Sequence, residues 1–305
     1  MVSLRDLPSF GSVAILADAR IHFDFESGCE GVLLLANAYC KVRSRVPELC
    51  APMKTPLEVL ELYPPHDYTL AGAFASRASR DAQRAFMAFE DRTWSWASFD
   101  AEVCKLASAL LARGLARGDR VAVSGRNTDG HVLILFALAR IGAIMVPVNP
   151  EFGVEEARYV LHHAEVSGVV ASMDTLEIVR RACDGLAALP WFLMLDAGSD
   201  GVDSIFAAGS AAAGEPVTAN VTGDDTVLIV YTSGTTGFPK GAMHSQRNFV
   251  TGGEAFVQRV SLQDDDRVMI VLPLFHINAL FYSLAGTLAA GCGMIVAPRF
   301  SASTF

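Results

Sequence analysis

Between Thr69 and Leu195 the sequence alternates short apolar runs with longer stretches of helical period, and few folds accept that order. Leu70 to Arg77 reads as a helix, and Arg84 to Glu90 and Thr93 to Trp96 read as strands around the turn Asp91-Arg92. Ser98 suits the cap of the next helix, with Asp100 and Glu102 in its first turn. That helix carries Val103, Leu106, Ala107, Leu110 and Leu111 on one face, and Gly114 stops it. Strands at Arg120 to Ser124, Ala143 to Val148, Gly168 to Ala171 and Trp191 to Leu195 then alternate with helices at Gly130 to Ile141, Val154 to Ala164 and Leu176 to Leu186. Such an order predicts right-handed βαβ units and a mainly parallel sheet covered by helices on both faces.

The second constraint is chemical. Val227 to Val230 is a short apolar strand that runs into Tyr231 to Gly241, YTSGTTGFPKG. Gly234 and Gly237 let backbone N–H groups approach an anion, Thr232, Ser233, Thr235 and Thr236 add hydroxyls, and Lys240 adds a positive charge on a long stem. Pro239 stiffens the exit. Composition alone also suits a flexible hairpin loop. The common nucleotide P-loop is excluded, because it places Gly before the Lys and Ser or Thr after it, whereas Lys240 stands between Pro239 and Gly241. GAMHS reads as a second short strand, and a helix begins near Ser245 or Asn248.

Farther on, Arg267 to Val271 reads as a strand ended by Pro273, which delivers Phe275, His276 and Asn278 to a loop before an apolar helix. Strand ends in open parallel sheets are where ligands bind. A lone His on such a background is ordinarily a packed or capping residue, so His276 gains interest only beside the loop at Lys240. His162 and His163 lie mid-helix with no second ligand pair, which suits an exposed or hydrogen-bonded pair better than a metal site.

The string YTSGTTGFPKG resembles the signature of the adenylate-forming, AMP-binding superfamily: acyl-CoA synthetases, peptide-synthetase adenylation domains and luciferases. The stretch from Gly118 to Ala171, GDRVAVSGRNTDGHV onward, is similar to its first subdomain, so the resemblance covers about residues 68 to 305. It implies an α/β fold of mainly parallel sheets covered by helices in two subdomains, the large N-terminal domain of an adenylate-forming enzyme. It also implies that a carboxylate attacks the α-phosphate of ATP to give an acyl-adenylate, which the sulfur of coenzyme A then attacks. On that pattern Thr232, Ser233, Gly234, Thr235, Thr236, Gly237 and Lys240 hold the phosphates, and Thr232 also serves Mg2+. His276 contacts nucleotide or transition state, and Asn278, Ala279 and Leu280 line the acyl pocket. Leu280 departs from long-chain members that carry an aromatic gate, which leaves acyl length open. The ending RFSASTF resembles crotonobetaine/carnitine-CoA and fatty-acid-CoA ligases more than peptide-synthetase domains.

Family members continue past the position of Phe305 with adenine-, ribose- and magnesium-binding segments, a hinge and a C-terminal lysine, none of which is found in residues 1 to 305. The resemblance therefore implies a truncated N-terminal portion that is not competent alone, with a separate C-terminal polypeptide as one way to complete it. The unpaired sheet edge left by missing strands would make the lone chain marginally stable or aggregation-prone. A non-catalytic nucleotide-binding or interaction module derived from the family is the alternative.

The organisation expected is an unassigned extension over 1–52, with Met53 as an alternative start, a first subdomain over 53–197, a Gly/Ser/Ala-rich surface linker over 198–220, and a second, incomplete subdomain over 221–305 that opens with the loop. A net charge of −9 argues against a nucleic-acid surface. Mean hydropathy of +0.34 is high. Arg140 and Pro147 interrupt one apolar stretch and three glycines cut the other, so buried core is expected rather than a transmembrane segment. The six cysteines have no CxxC spacing, and the N-terminus lacks a basic region before an apolar core; a cytoplasmic location is expected.

Overall fold

The computed structural model of the protein describes residues 66–198, 201–212, 219–232 and 239–299. The expectations for 1–52, for a start at Met53, and for Ser233, Gly234, Thr235, Thr236 and Gly237 lie outside the described residues.

The strands form two sheets. In the larger, β3 (Arg120–Ser124), β4 (Ile144–Val148), β5 (Gly168–Ala171), β6 (Trp191–Met194) and β7 (Thr226–Thr232) run parallel in the order β6-β5-β3-β4-β7. The antiparallel β8 (Lys240–Ser245) then pairs with β7 as an edge. The smaller sheet has the order β2-β1-β10-β9, from β1 (Ala85–Phe89), β2 (Arg92–Ser95), β9 (Arg267–Ile270) and β10 (Gly293–Val296). Only β1 and β2 are antiparallel there. Strands from before and after 198–220 therefore share both sheets, and backbone hydrogen bonding crosses the segment that composition suggests as a divider.

Side-chain alternation on the large sheet builds two cores. Val121 and Val123 of β3, Met145 of β4 and Val170 of β5 join the main core, while Ala122, Val146, Val148, Val169 and Ala171 face the second. Helices α4 (Val154–His163) and α5 (Leu176–Ala182) cover the second core. The main core is filled by α1 (Leu70–Arg80), α2 (Trp96–Ala112) and α3 (Asp129–Ile141). Every residue of α3 except Arg140 is buried, which explains why this stretch is apolar all round. Its Arg140 pairs with Asp100 of α2. Val132 to Val148, which invites a membrane reading, is thus a buried helix followed by a strand. No described helix is long and apolar enough to cross a membrane.

Several local expectations need correction. Trp96 is the first residue of α2 rather than the end of β2, and Ser95, not Ser98, caps it. The Ser95 side chain accepts from Ser98 N–H while Ser98 Oγ accepts from Ser95 N–H, a reciprocal capping box. Asp129 opens α3 one residue before the expected Gly130. The Gly/Ser/Ala-rich stretch contains a short helix, α6 (Ile205–Ser210), capped by Ser204 and anchored by the fully buried Ile205, so it is not surface linker throughout.

Beyond β8, α7 (Gln246–Val260) starts at the expected Ser245 cap. The Gln246 amide, fully buried, accepts from Leu70 N–H at 2.8 Å and donates to the Ala139 carbonyl at 2.9 Å. One side chain thereby ties the starts of α7 and α1 to the end of α3. The apolar helix expected after His276 is a π-helical segment, Asn278–Leu284, which continues into α8 (Ala285–Ala290).

Candidate active site

Five parallel strands of the large sheet end along one edge, and β7 ends there at Thr232. Thr232 pairs in register with Lys240, the first residue of β8, so β7 and β8 form the two arms of a hairpin, with residues 233–238 between them outside the described residues. Both Thr232 and Lys240 are exposed. A hydroxyl and an ammonium group thus stand side by side at the carboxyl edge of a parallel sheet, where ligand sites form. Across the next pair, Tyr231 faces Gly241. A Cβ at Gly241 would lie 2.8 Å from Ile229 Cγ2 and 3.1 Å from Tyr231 Cζ, so the glycine after the Lys is required by packing inside the hairpin.

Helix α4 holds both arms. The Tyr159 hydroxyl donates to the Pro239 carbonyl at 3.0 Å, and His163 Nδ1 lies 2.7 Å from the Tyr231 hydroxyl. Burial pushes the Tyr231 phenol up to about 12, with nearby Tyr159 adding to the shift, so its hydroxyl keeps its proton at neutral pH.

His276 is reached by a different route. After β9 the chain turns at Pro273, where His276 N–H donates to the Pro273 carbonyl at 2.9 Å. Asn127, just beyond the end of β3, receives this segment. Its Oδ1 accepts from Leu274 N–H at 2.7 Å, and its Nδ2 donates to the carbonyls of Leu272 at 2.9 Å and Ala297 at 3.2 Å. The ends of β3, β9 and β10 therefore converge on one amide. His276 is exposed, its ring 4.4 Å from that of Phe275, and desolvation lowers its pKa below the ordinary imidazole value. Asn278 is half-buried, whereas Ala279 and Leu280 are buried in the main core. The ring of Phe281, in the same π-helical segment, packs 4.8 Å from that of His244 on β8. This contact brings the hairpin strand against the element that follows His276.

Two open cavities of about 550 Å3 each are present among the described residues. One lies at the strand ends, lined by Phe89, Arg92, Arg126, Asn127, Thr128 and Asp196 among others. Burial raises the Asp196 pKa against the pull of Arg92, and Asp129 and Asp174 raise it further. Nearby Asp129, almost fully buried, accepts from Arg92 at 2.6 Å and Trp94 Nε1 at 2.8 Å, yet burial still raises its pKa. The other cavity lies between α1, α7 and α8 and includes Glu254, which bonds His66 at 2.8 Å.

The arrangement fits a triphosphate in two features, the exposed ammonium of Lys240 and the adjacent hydroxyl of Thr232. No group of three or more His, Cys, Asp and Glu suited to a metal occurs among the described residues. A magnesium ion here would rest on Thr232 and on the phosphates themselves. Sequence reasoning points to Lys240 and Thr232 through their motif. It misses Tyr159, Asn127 and the His163–Tyr231 pair, because the partners of Tyr159, Asn127 and His163 lie 80, 147 and 68 positions away.

The wider likenesses agree with this geometry. The family model described as AMP-binding enzyme matches residues 74–305. The crotonobetaine/carnitine-CoA ligase of Salmonella enteritidis PT4 is 31% identical over 221 residues, which cover 70% of this chain and 42% of that protein. The chain thus spans less than half the length of the curated relatives it matches. Among solved structures, a putative long-chain-fatty-acid CoA ligase from Rhodopseudomonas palustris is 29% identical with a TM-score of 0.71, over 77% of this chain and 59% of that one. The inhibitor-bound N-terminal domain of FACL13 from Mycobacterium tuberculosis is 25% identical with a TM-score of 0.69, over 77% and 58%. ATP-bound MatB from R. palustris is 28% identical with a TM-score of 0.67, over 76% and 46%. With its fold, its hairpin and most of its length accounted for, the chain belongs to the AMP-binding enzyme family, with the N-terminal domain architecture of acyl-CoA ligases.

Proposed function

We propose that this chain supplies the phosphate-gripping part of an ATP-dependent acid–thiol ligase. A carboxylate oxygen attacks the α-phosphorus of ATP, pyrophosphate leaves, and an acyl-adenylate forms. The thiol of coenzyme A then attacks the acyl carbon, and AMP leaves with the bonding pair. Such steps are accelerated by positioning and by neutralising charge on the phosphates. Lys240 takes the β- and γ-phosphates together with the amides and hydroxyls of Ser233, Gly234, Thr235, Thr236 and Gly237, and Thr232 reaches Mg2+ as well. His276, neutral at physiological pH, contacts the nucleotide or the reacting carboxylate, and Asn278, Ala279 and Leu280 border the acyl pocket.

The observation that carries this reading is the register pairing of Thr232 with Lys240 at the carboxyl edge of the large sheet. The name of the R. palustris structure, a putative long-chain-fatty-acid CoA ligase, supports a fatty acid as the carboxylate. A further stretch of polypeptide, in the same or a separate chain, completes the site. Two sheet edges support this: β8 exposes Met243 at 65%, and β9, an edge among the described residues, is followed by the exposed Leu272. Cys104, Cys183 and Cys292 are buried and outside any disulfide, which suits a reducing cytoplasm.

Exchange of labelled pyrophosphate into ATP, run with a panel of carboxylic acids of increasing chain length, tests the assignment. Acid-dependent exchange is expected once the completing polypeptide is present. Nucleotide binding with no exchange for any acid would instead leave a non-catalytic binding module.

A further inference from the structure

One helix holds the loop hairpin at two points. Tyr159 and His163 stand four positions apart on α4, hence on one face one turn apart. Tyr159 reaches the Pro239 carbonyl at 3.0 Å, just before Lys240 on one arm, and His163 reaches the Tyr231 hydroxyl at 2.7 Å, just before Thr232 on the other. Their rings stack with centroids 5.5 Å apart at 23°. The Tyr231 ring stands edge-on to both, at 86° to Tyr159 and 85° to His163. Three rings therefore form one packed unit, and the flanks of the segment Ser233 to Phe238 are both bonded to it.

A cluster of rings that only packs needs no hydrogen bond to a strand-end carbonyl. Here the Tyr159 bond goes to the backbone of the residue immediately before Lys240, and so fixes where that residue departs from the strand. The other bond fixes the partner arm through a side chain. A preorganised loop binds its ligand more tightly because less ordering is left for the moment of binding.

We propose that Tyr159 and His163 are positioning residues for the phosphate loop: from α4 they set the spacing of its two arms, and with it ATP affinity, without touching the nucleotide. The proposal rests on the nucleotide reading given above only for its second half. Its first half, that α4 restrains the loop, stands on the two hydrogen bonds alone.

The test uses the whole chain with Tyr159→Phe, His163→Leu and, as a control, Ala157→Gly. Ala157 is a buried residue of the same helix whose change lowers stability without touching either arm. Amide hydrogen exchange of peptides spanning residues 229–242 is measured without nucleotide, and Mg-ATP affinity by calorimetry. Tyr159→Phe and His163→Leu are expected to speed loop exchange several-fold and to weaken ATP binding about five- to tenfold, the effect of one hydrogen bond. Ala157→Gly is expected to do neither. Loop exchange unchanged in both variants, or raised equally by Ala157→Gly, overturns the proposal. Faster exchange in the variants of a chain that binds no Mg-ATP even with the completing polypeptide present would refute the nucleotide reading and leave the restraint standing.

Discussion

The side chain of Asn127 and the backbone N–H of Leu274, 2.7 Å apart, join the two sheets at their carboxyl ends. The same amide donates to the carbonyls of Leu272 and Ala297. Asn127 is almost fully buried, and so is its bond to Leu274 N–H, whereas the bonds to Leu272 and Ala297 are part-buried. Through it, the large sheet that carries the loop hairpin fixes the segment that carries His276.

Replacing Asn127 by Ala strands the buried Leu274 N–H and frees two part-buried carbonyls. The expected loss is about 2 kcal/mol, since an unsatisfied buried group costs about 1–3 kcal/mol and the part-buried carbonyls can turn to water. Asn127→Asp should be no better, because it keeps the acceptor for Leu274 but sets a carboxylate against two carbonyl oxygens. Urea denaturation measures both; a loss below about 1 kcal/mol for either would show that the amide does not hold the sheets together.

The α7–α8 contact depends on Gly253. A Cβ there would lie 2.2 Å from the Ala285 carbonyl oxygen, a backbone atom that cannot swing aside. At Gly252 the nearest atom is Phe281 Cδ1 at 3.3 Å, a side-chain atom that can yield. Gly253→Ala should therefore destabilise by about 1–3 kcal/mol, while Gly252→Ala, which gains helix propensity, stays near neutral. Thermal unfolding of the two variants decides it, and equal shifts would contradict this close approach of the two helices.

His131 makes stability pH-dependent. It is buried on α3, its Nδ1 has no partner among the described residues, and burial lowers its pKa from 6.5 to about 4. Between those values the unfolded chain takes up a proton that the folded chain refuses, so stability falls as pH falls. The full loss is about 3 kcal/mol between neutrality and pH 4. Asp129, Asp196 and Glu254 have raised pKa values and act in the opposite sense, so the comparison must be with a variant. His131→Leu should lose this acid limb, and its stability relative to the parent should rise by about 3 kcal/mol from pH 7 to pH 4. Parallel pH profiles would contradict the assignment.

What could be read from the sequence was whatever a local period or a local motif encodes. The strands at Arg120–Ser124 and Gly168–Ala171 follow their apolar runs residue for residue. The start of α2 does not, because Ser95 and Ser98 are both competent caps and only their mutual bonding shows that Ser95 is the cap and Ser98 its third residue. Helix α6 is hidden in a Gly/Ser/Ala stretch where only Ile205 and Phe206 carry apolar bulk. Pairing of β1 with β10 joins Met87 to Met294, and no local pattern specifies so distant a partner. The candidate site divides in the same way. Lys240 and His276 stand in short strings, whereas Tyr159 and Asn127 act through backbone groups far along the chain.

Lys240 is the residue on which the nucleotide reading turns. Calorimetric titration of Mg-ATP into the chain and into Lys240→Ala measures its role directly. Loss of one charge-assisted contact of about 1.5–3 kcal/mol predicts affinity weaker by roughly 10- to 150-fold in the variant. Equal affinity of the two proteins, or no heat of binding even with the completing polypeptide restored, would contradict a triphosphate held at the Thr232–Lys240 hairpin.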